Sequence, residues 1–212
     1  MHIKYTQVSS KRPNELEALT VTSRNRERTG RISYQGVAGA NSDMACQAAY
    51  PNMEPVACES FEDAFAAVES GDADLGMIPI ENSVGGRVAD IHHLLPDSGL
   101  YIVDEHFQPV QHQLLGVPGA TLESINTVES HVQALSQCRH VINELNLRPV
   151  QSADTAGAAK ALAESGDTTT AAIASSLAAQ VYGLNVLRSR IEDKIGNTTR
   201  FVVMSRVREE PD

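Results

Sequence analysis

The 212-residue sequence contains no tryptophan, few aromatic residues and no long apolar run. With 42% hydrophobic but only 4% aromatic residues, it predicts a packed core of aliphatic side chains and alanine. A run of about 18 apolar residues, which a membrane span needs, is absent, as is the apolar core of a secretory signal. The three cysteines, Cys46, Cys58 and Cys138, form no C-x-x-C pair, which argues against disulfides and zinc sites. We therefore expect a protein of the reducing cytoplasm that has no membrane partner.

Motifs of several common chemistries are also absent. The sequence has no G-x-G-x-x-G or Walker loop for nucleotides, no H-E-x-x-H for zinc and no G-x-S-x-G nucleophile elbow. The adjacent His92 and His93 would point to different faces of a helix, so they do not form a metal pair. The sequence thus predicts no metal site.

The net charge of −10 is unevenly distributed along the chain. Residues 1–30 contain six basic and three acidic side chains, so the acidic excess lies entirely in the rest of the chain. An acidic body repels phosphate backbones, and we therefore expect no nucleic-acid partner. The basic residues 1–30 are predicted to be a flexible extension, with an anchoring arm or a targeting sequence as alternatives.

Strand and helix patterns alternate from the end of this extension. Residues 31–36 predict a strand, and Asn41 or Ser42 is expected to cap the helix that follows. Residues 60–63 resemble a capping box that begins a second helix, and Gly71 is expected to end it.

The alternation continues through the rest of the chain. Residues 74–80 form a near-continuous apolar run, which is typical of a strand in a buried parallel sheet. Hydrophobic spacing predicts helices over residues 84–95 and 134–145. Repeated strand–helix units predict an α/β fold with two lobes, and the cleft between such lobes is a favoured ligand site.

Four polar clusters follow predicted strands. They are Glu81-Asn82-Ser83, Ser130-His131-Val132-Gln133 with Gln137, Asp154-Thr155, and Asn197-Thr198-Thr199-Arg200. The structural interpretation is helix capping by Asn82 or Ser83, by Ser130 with Gln133 as a capping box, and by Asp154. The functional interpretation is an anion site, because helix N-termini attract carboxylates and arginine presents a planar fork of donors.

In this order, the clusters resemble the prephenate dehydratase family. The matching stretches are Ile78-Pro79-Ile80-Glu81-Asn82-Ser83, Ser130-His131 with Gln137, Thr155-Ala156-Gly157-Ala158-Ala159, Ala171-Ala172-Ile173-Ala174-Ser175, Tyr182-Gly183-Leu184 and Asn197-Thr198-Thr199-Arg200-Phe201. The resemblance covers about residues 31–206. It implies an α/β, two-lobed, type II periplasmic-binding-protein-like fold with an interlobe cleft. The implied reaction is the cofactor-free conversion of prephenate to phenylpyruvate, water and CO₂ in L-phenylalanine biosynthesis.

The resemblance also implies the site residues. The family's catalytic positions fall on Thr199, Asn82 and Gln137. Its substrate-binding positions fall on Glu81, Ser83, Ser130, Thr155, Ser175, Arg200 and Phe201. This sequence departs from the family's usual Gly-Pro-x-Gly-Thr-Phe-Ser opening, because Ala40 stands where the family's threonine would supply a hydroxyl.

The chemistry of prephenate fits these residue types. Prephenate carries two carboxylates and a ring hydroxyl, and aromatisation with CO₂ release drives the reaction. We expect Thr199 to donate a hydrogen bond or a proton to the leaving hydroxyl, and Asn82 and Gln137 to supply neutral donors. Arg200 would bind a carboxylate or, alternatively, hold Glu81. Since the net charge opposes a dianion, the cleft is expected to be locally positive.

The resemblance implies the following domain organisation. Residues 1–30 would be the extension, 31–206 the catalytic domain and 207–212 a tail. Lobe one would comprise about residues 31–107 plus 190–206, and lobe two about residues 108–189. Family members are commonly dimers or tetramers, so a homodimer or homotetramer is expected.

Three other functions remain open at this point. Arogenate dehydratase uses the same scaffold, and a non-catalytic ligand-binding module or a regulatory fragment that only oligomerises would share the lobes. The family's C-terminal ACT domain carries Gly-Ala-Leu and Glu-Ser-Arg-Pro motifs, which are absent here. The sequence leaves no room for an N-terminal chorismate mutase either, so we expect a monofunctional catalytic core without feedback inhibition by phenylalanine.

Overall fold

A computed structural model describes residues 27–209. Residues 1–26, most of the predicted extension, and residues 210–212 lie outside the described part. The strands are β1 (Gly30–Gln35), β2 (Met53–Cys58), β3 (Leu75–Asn82), β4 (Gly86–Arg87), β5 (Tyr101–Pro109), β6 (Gln113–Gly116), β7 (Thr127–Ser130), β8 (Arg148–Gln151), β9 (Thr170–Ala174), β10 (Asn185–Arg188) and β11 (Thr198–Ser205). The helices are α1 (Asn41–Ala49), α2 (Phe61–Ser70), α3 (Ile91–Leu94), α4 (Val132–Gln137), α5 (Arg139–Glu144), α6 (Thr155–Ser165) and α7 (Ser176–Tyr182).

The strands form two sheets, one in each lobe. The sheet of lobe one has the order β2-β1-β3-β11-β5, with the short β4 paired to β3, and the sheet of lobe two has the order β10-β6-β9-β7-β8. In lobe one β1, β2 and β3 are parallel, and β11, which arrives from lobe two, pairs antiparallel with β3. In lobe two β7, β8 and β9 are parallel, and β6, which arrives from lobe one, pairs antiparallel with β9. The two-lobed α/β fold is confirmed.

Two segments connect the lobes. Residues 110–112 lead from β5 to β6, and residues 189–197 lead from β10 back to β11. The backbone N–H of Val110 donates to the carbonyl of Asn197 at 2.8 Å, so the two segments contact each other where they cross. This crossing forms one end of the cleft.

Each lobe has its own core. In lobe two the core is aliphatic and rich in alanine, as predicted, and Cys138 is fully buried in it. Its alanines, which allow helices and sheet to approach closely, are Ala120, Ala134, Ala156, Ala158, Ala159, Ala171, Ala172, Ala174, Ala178 and Ala179. Lobe one packs a larger share of bulky side chains against the two faces of its sheet, including Tyr34, Tyr50 and Phe201.

Several helix ends follow from the local sequence. Ser60 and Asp63 form a capping box at the start of α2, and Gly71 ends that helix in the left-handed conformation at φ 92°. The carboxylate of Asp154 accepts from the N–H of Gly157 at 2.6 Å and caps α6. These three predictions are confirmed.

Three local predictions are wrong. The hydrophobic spacing over residues 84–95 produces a turn, the short β4 and only the four-residue α3. The helix expected over residues 134–145 is two helices separated at Cys138, because the side chain of Asp193 accepts from the N–H groups of Arg139 and His140 and begins α5. Neither Asn41 nor Ser42 caps α1.

The cap of α1 has a different origin. Its N-cap position is Ala40, whose side chain makes no capping bond. Instead the buried carboxylate of Asp43, three residues further on, reaches back and accepts from the N–H of Gly39 at 2.8 Å. No helix within residues 27–209 is long and apolar enough to span a membrane.

Candidate active site

A cavity of about 580 Å³ lies between the two lobes. Its polar lining comes from β1, α1, β3, β4, β11 and the residues before α3 in lobe one, from α4, α6 and their N-caps in lobe two and from both connecting segments. The lining residues that matter for chemistry are Asn82, Arg87, Asp90, His112, Gln137, Asp154, Thr155, Asn197 and Thr199. The cavity is therefore built at the ends of strands and at the crossing between lobes, where the four sequence clusters meet.

Asn82 and Thr199 form a cross-strand pair on the cavity face of lobe one. They are paired in register on the antiparallel strands β3 and β11, and Nδ2 of Asn82 donates to Oγ1 of Thr199 at 2.9 Å. The side-chain oxygen Oδ1 of Asn82 accepts from the backbone N–H groups of Val84 and Gly85 at 3.0 and 2.7 Å. Since only the oxygen of an amide accepts, these bonds fix which side of Asn82 faces Thr199.

Glu81 and Arg200 lie beside this pair but on the opposite face of the sheet. Neighbouring residues of a strand point to opposite faces, so the side chains next to Asn82 and Thr199 point away from the cavity. Arg200 donates from Nε and Nη2 to Oε2 of Glu105 at 3.0 and 2.7 Å. The interpretation that Arg200 holds Glu81 is wrong, and neither residue lines the cavity.

Gln137 lies at the end of α4 and connects lobe two to the crossing segments. Its Oε1 accepts from Nδ2 of Asn197 at 3.1 Å and is 2.9 Å from Nε2 of His112. Burial lowers the pKa of His112 from its ordinary value of 6.5, which favours the neutral ring at pH 7, and the Nε2–H tautomer of that ring donates to the amide oxygen. The structure thus places Gln137, like Asn82, in a fixed orientation at the cavity wall.

Ser130 and Ser175 are buried in structural roles. The hydroxyl of Ser130 donates to the carbonyl of Ile173 at 2.6 Å. The expected capping box of Ser130 with Gln133 is wrong, because the N-cap of α4 is His131, whose ring nitrogen accepts from the N–H of Gln133. Ser175 caps α7, and its hydroxyl donates to the carbonyl of Gly39 in the other lobe at 2.5 Å.

The remaining expected site residues fall close to the cavity. Thr155 and Phe201 line it, with Thr155 at the start of α6 and Phe201 almost fully buried on β11. Ser83 does not line it, but its oxygen accepts from the N–H of Thr198 at 2.9 Å, and its hydroxyl lies 3.4 Å from Oδ1 of Asn197.

The charges in the cavity differ from the expectation. Among the described lining residues, Arg87 is the permanent cation, while Asp90 and Asp154 are carboxylates. The side chains therefore do not make the cleft locally positive.

Sequence reasoning missed several residues of the cavity, among them Asp90. Arg87, His112 and Asn197 all line it, and His112 and Asn197 bond to Gln137. Asn197 belongs to a cluster that the sequence singled out, so its position next to Thr199 was an available signal. His112 lies in no polar cluster of the sequence, and only the crossing between the lobes, between β5 and β6, places it at the cavity.

The two-lobed architecture with polar strand ends in its cleft defines a class of ligand-binding and catalytic α/β proteins. Comparison with known families narrows this class, because residues 32–209 match the model of the prephenate dehydratase family. The chain belongs to the prephenate dehydratase family.

Individual relatives agree with this assignment. The chain is 49% identical over 175 residues to the bifunctional N-acyl-homoserine lactone acylase/prephenate dehydratase of Komagataeibacter europaeus, covering 82% of this chain and 62% of that protein. It is 47% identical over 176 residues to the chloroplastic arogenate dehydratase/prephenate dehydratase 1 of Arabidopsis thaliana, covering 83% of this chain and 45% of that protein.

A solved structure is also similar. The crystal structure of prephenate dehydratase in complex with L-Phe from Arthrobacter aurescens matches with a TM-score of 0.79 and 31% identity, covering 86% of this chain and 62% of that one. The chain thus spans less than two thirds of the length of these relatives.

Proposed function

We propose that the chain catalyses the decarboxylating dehydration of prephenate, with Thr199 as the hydrogen-bond donor to the leaving hydroxyl. The observation that carries this proposal is the bond from Nδ2 of Asn82 to Oγ1 of Thr199. Because the oxygen of Thr199 already accepts, its own proton is available to donate into the cavity. Accepting one hydrogen bond also strengthens the bond that a hydroxyl donates.

The reaction needs little from the protein beyond orientation and charge stabilisation. The bond between the ring and its carboxylate breaks, and its electron pair enters the ring as CO₂ leaves. The carbon–oxygen bond of the ring hydroxyl breaks with its electron pair, and the departing hydroxide takes a proton from solvent and leaves as water. A hydrogen bond from Thr199 stabilises the charge that develops on this oxygen.

The donors for the substrate carboxylates come from both lobes. Arg87 supplies a cation, and the amide of Gln137 supplies neutral N–H groups. Binding between the lobes also removes the substrate from bulk water, which strengthens each of these contacts.

The test of this proposal replaces Thr199 and measures phenylpyruvate formed from prephenate at neutral pH. Thr199→Ala is expected to lower kcat by about 10²- to 10⁴-fold, the usual contribution of a positioned proton or hydrogen-bond donor. Thr199→Ser should keep part of the activity, and Thr199→Val should be as slow as alanine because it keeps the shape and loses the donor.

The matched control is Thr168→Ala, which removes an exposed threonine outside the cavity. Its rate should equal that of the parent. Parental activity in Thr199→Val would refute the role of Thr199, and a parent that forms no phenylpyruvate would refute the reaction.

Arogenate is a second candidate substrate, and the cavity charges favour it. Arogenate carries an ammonium group where prephenate has a ketone, and Asp90 and Asp154 could pair with that cation. Asp154→Asn keeps a good helix cap but removes the charge. If arogenate is the preferred substrate, this variant lowers kcat/KM for arogenate much more than for prephenate. Direct competition of the two substrates for the parent enzyme measures the preference itself.

The acylase activity in the name of the Komagataeibacter relative is less well supported. Acyl transfer needs a nucleophile activated by a neighbouring base. Among the described residues that line the cavity, no hydroxyl is hydrogen-bonded to a histidine or a carboxylate. Burial raises the pKa of Cys138 to about 12 and that of Cys46 well above its usual value, so these thiols do not ionise.

The family resemblance supports a homodimer or homotetramer. Size-exclusion chromatography with light scattering measures this directly. A cytoplasmic location stays a prediction of the sequence.

A further inference from the structure

The amide of Gln137 has one orientation in the cavity wall. Its Oε1 accepts from Nδ2 of Asn197 at 3.1 Å and from Nε2 of His112 at 2.9 Å. Nδ2 of Asn197 can only donate, so the atom that it meets must be the oxygen of Gln137, and Nε2 of His112, which shares this oxygen, must carry a ring proton. Nε2 of Gln137 is therefore turned away from both partners.

The nitrogen of Gln137 is available to a ligand. It has no hydrogen-bond partner among residues 27–209. Every buried side-chain nitrogen and oxygen in that part of the chain has a partner, so Nε2 of Gln137 is not buried. Nε2 is thus accessible, and the residue lines the cavity. Two N–H donors are presented where a carboxylate would bind.

Asn197 is itself held by its neighbours in lobe one and at the crossing of the two segments. The backbone N–H of Thr198 donates to Oγ of Ser83, and the hydroxyl of Ser83 donates in turn toward Oδ1 of Asn197 at 3.4 Å and the carbonyl of Gly196 at 3.5 Å. The carbonyl of Asn197 also accepts from the N–H of Val110 at the crossing of the two segments. Only 5% of Asn197 is exposed, so its amide has little freedom to rotate.

We propose that Asn197, together with His112, is a positioning residue that turns the Gln137 amide so that its N–H groups donate to a carboxylate of the substrate. This inference rests on the proposed function. Asn197 need not touch the substrate for this role. Its effect passes through the orientation of Gln137, and His112 supports it with a neutral ring in the Nε2–H tautomer as well as with a protonated ring, because Nε2 carries a proton in both.

Replacing Asn197 with aspartate tests the role, because a carboxylate cannot donate. Nε2 of Gln137 would then turn to donate to Asp at this position, and Oε1 would face the substrate carboxylate. In Asn197→Asp we expect KM for prephenate to rise about 10- to 100-fold, the loss expected for a hydrogen bond to a charged partner, with a much smaller change in kcat. Asn197→Ala should raise KM less, since His112 still donates to Oε1.

The control for direct charge repulsion is the same substitution without Gln137. In a Gln137→Ala background, Asn197→Asp and Asn197→Ala should each change KM by less than about twofold, because the amide that they reorient is gone. Asn143→Asp, an identical change at an exposed position outside the cavity, should leave the kinetics of the parent unchanged. Raising the salt concentration should not restore the KM of Asn197→Asp, whereas repulsion would be screened.

The outcomes separate this proposal from the proposed function. An inactive parent overturns the function. An active parent with an unchanged KM in Asn197→Asp, or with an equally large rise in the Gln137→Ala background, overturns the role of Asn197. If Asn197→Asp does not fold, Asn197→Ala serves as the test. A rise in KM caused by Asn197→Ala that is equally large in the Gln137→Ala background refutes the positioning role of Asn197.

Discussion

Asn82 and Gln137 are both fixed through their carbonyl oxygens. In Asn82 the oxygen accepts from two backbone N–H groups, and in Gln137 it accepts from two side chains. Each amide therefore presents its nitrogen in a single direction before any ligand arrives. Because the two amides are already oriented, substrate binding does not have to include the free-energy cost of ordering them.

Burial of His112 gives the stability of the protein a pH dependence. The pKa of this ring is lowered below 6.5 in the folded state, mainly by burial. As the pH falls below 6.5, the unfolded chain therefore binds a proton that the folded chain resists, and stability decreases. Urea midpoints measured between about pH 5 and 7 should rise with pH and level off above the unfolded pKa.

Comparing the pH dependence of the urea midpoint between variants separates the contribution of His112 from those of other titrating groups. His112→Gln should reduce the rise of the midpoint with pH, whereas His93→Gln, at an exposed position, should follow the parent. Equal slopes in the parent and in His112→Gln would show that the buried ring does not control this range.

At the residue scale, the sequence predicted correctly which polar clusters surround the cavity. It predicted less well which residues of each cluster face the cavity. Thr199 and Asn82 line the cavity, while their neighbours Arg200 and Glu81 lie on the other face. A motif contains residues of both faces of its strand, and the face toward the cleft depends on sheet pairing. Ser130 shows the same limit, because its burial depends on a carbonyl 43 residues away.

At the scale of elements, the capping box of α2 contributes stability that can be measured. The side chain of Ser60 accepts from the N–H of Asp63, and the side chain of Asp63 accepts from the N–H of Ser60. Ser60→Ala should lower the free energy of unfolding by about 1 kcal/mol, measured as a shift in the urea midpoint. Ser70→Ala at the other end of the same helix should have a smaller effect, and the reverse order would contradict the capping role.

Elements with strong local signals were predicted well, and those set by tertiary contacts were not. The buried strand β3 and the capped helices α2 and α6 follow from apolar runs and capping residues. Residues 84–95 have helical spacing, but the turn after Asn82 and the pairing of β4 with β3 prevail there. Such pairing depends on where β3 lies, which the local pattern does not contain.

At the scale of the whole molecule, a loop of lobe one docks onto helix α7 of lobe two. Ser175 donates to the carbonyl of Gly39, and the hydroxyl of Tyr182 donates to the carbonyl of Ala38 at 2.8 Å. A Cβ at Gly39 would lie 2.7 Å from Cα of Ala178, so only glycine allows this approach. These contacts join the two lobes directly, in addition to the crossing segments.

Loss of one of these bonds should weaken substrate binding more than turnover. A hydrogen bond contributes about 0.5–1.5 kcal/mol, so Tyr182→Phe should raise KM by roughly 2- to 10-fold with kcat near that of the parent. Tyr101→Phe removes the hydroxyl of an exposed tyrosine outside the cavity and serves as the control. Steady-state kinetics with prephenate measure both, and a parental KM in Tyr182→Phe would show that the contact does not assist binding.

The position of β11 determines when lobe one can form. This strand lies between β3 and β5, yet it follows all of lobe two in the chain. Until it arrives, β3 and β5 have no strand between them, and the sheet of lobe one stays divided. During synthesis, lobe two can fold as soon as it leaves the ribosome, whereas lobe one must wait for a strand that closes contacts of long sequence separation. Thr199 lies on that strand, so the cleft acquires its proposed catalytic hydroxyl in the same step that completes the fold.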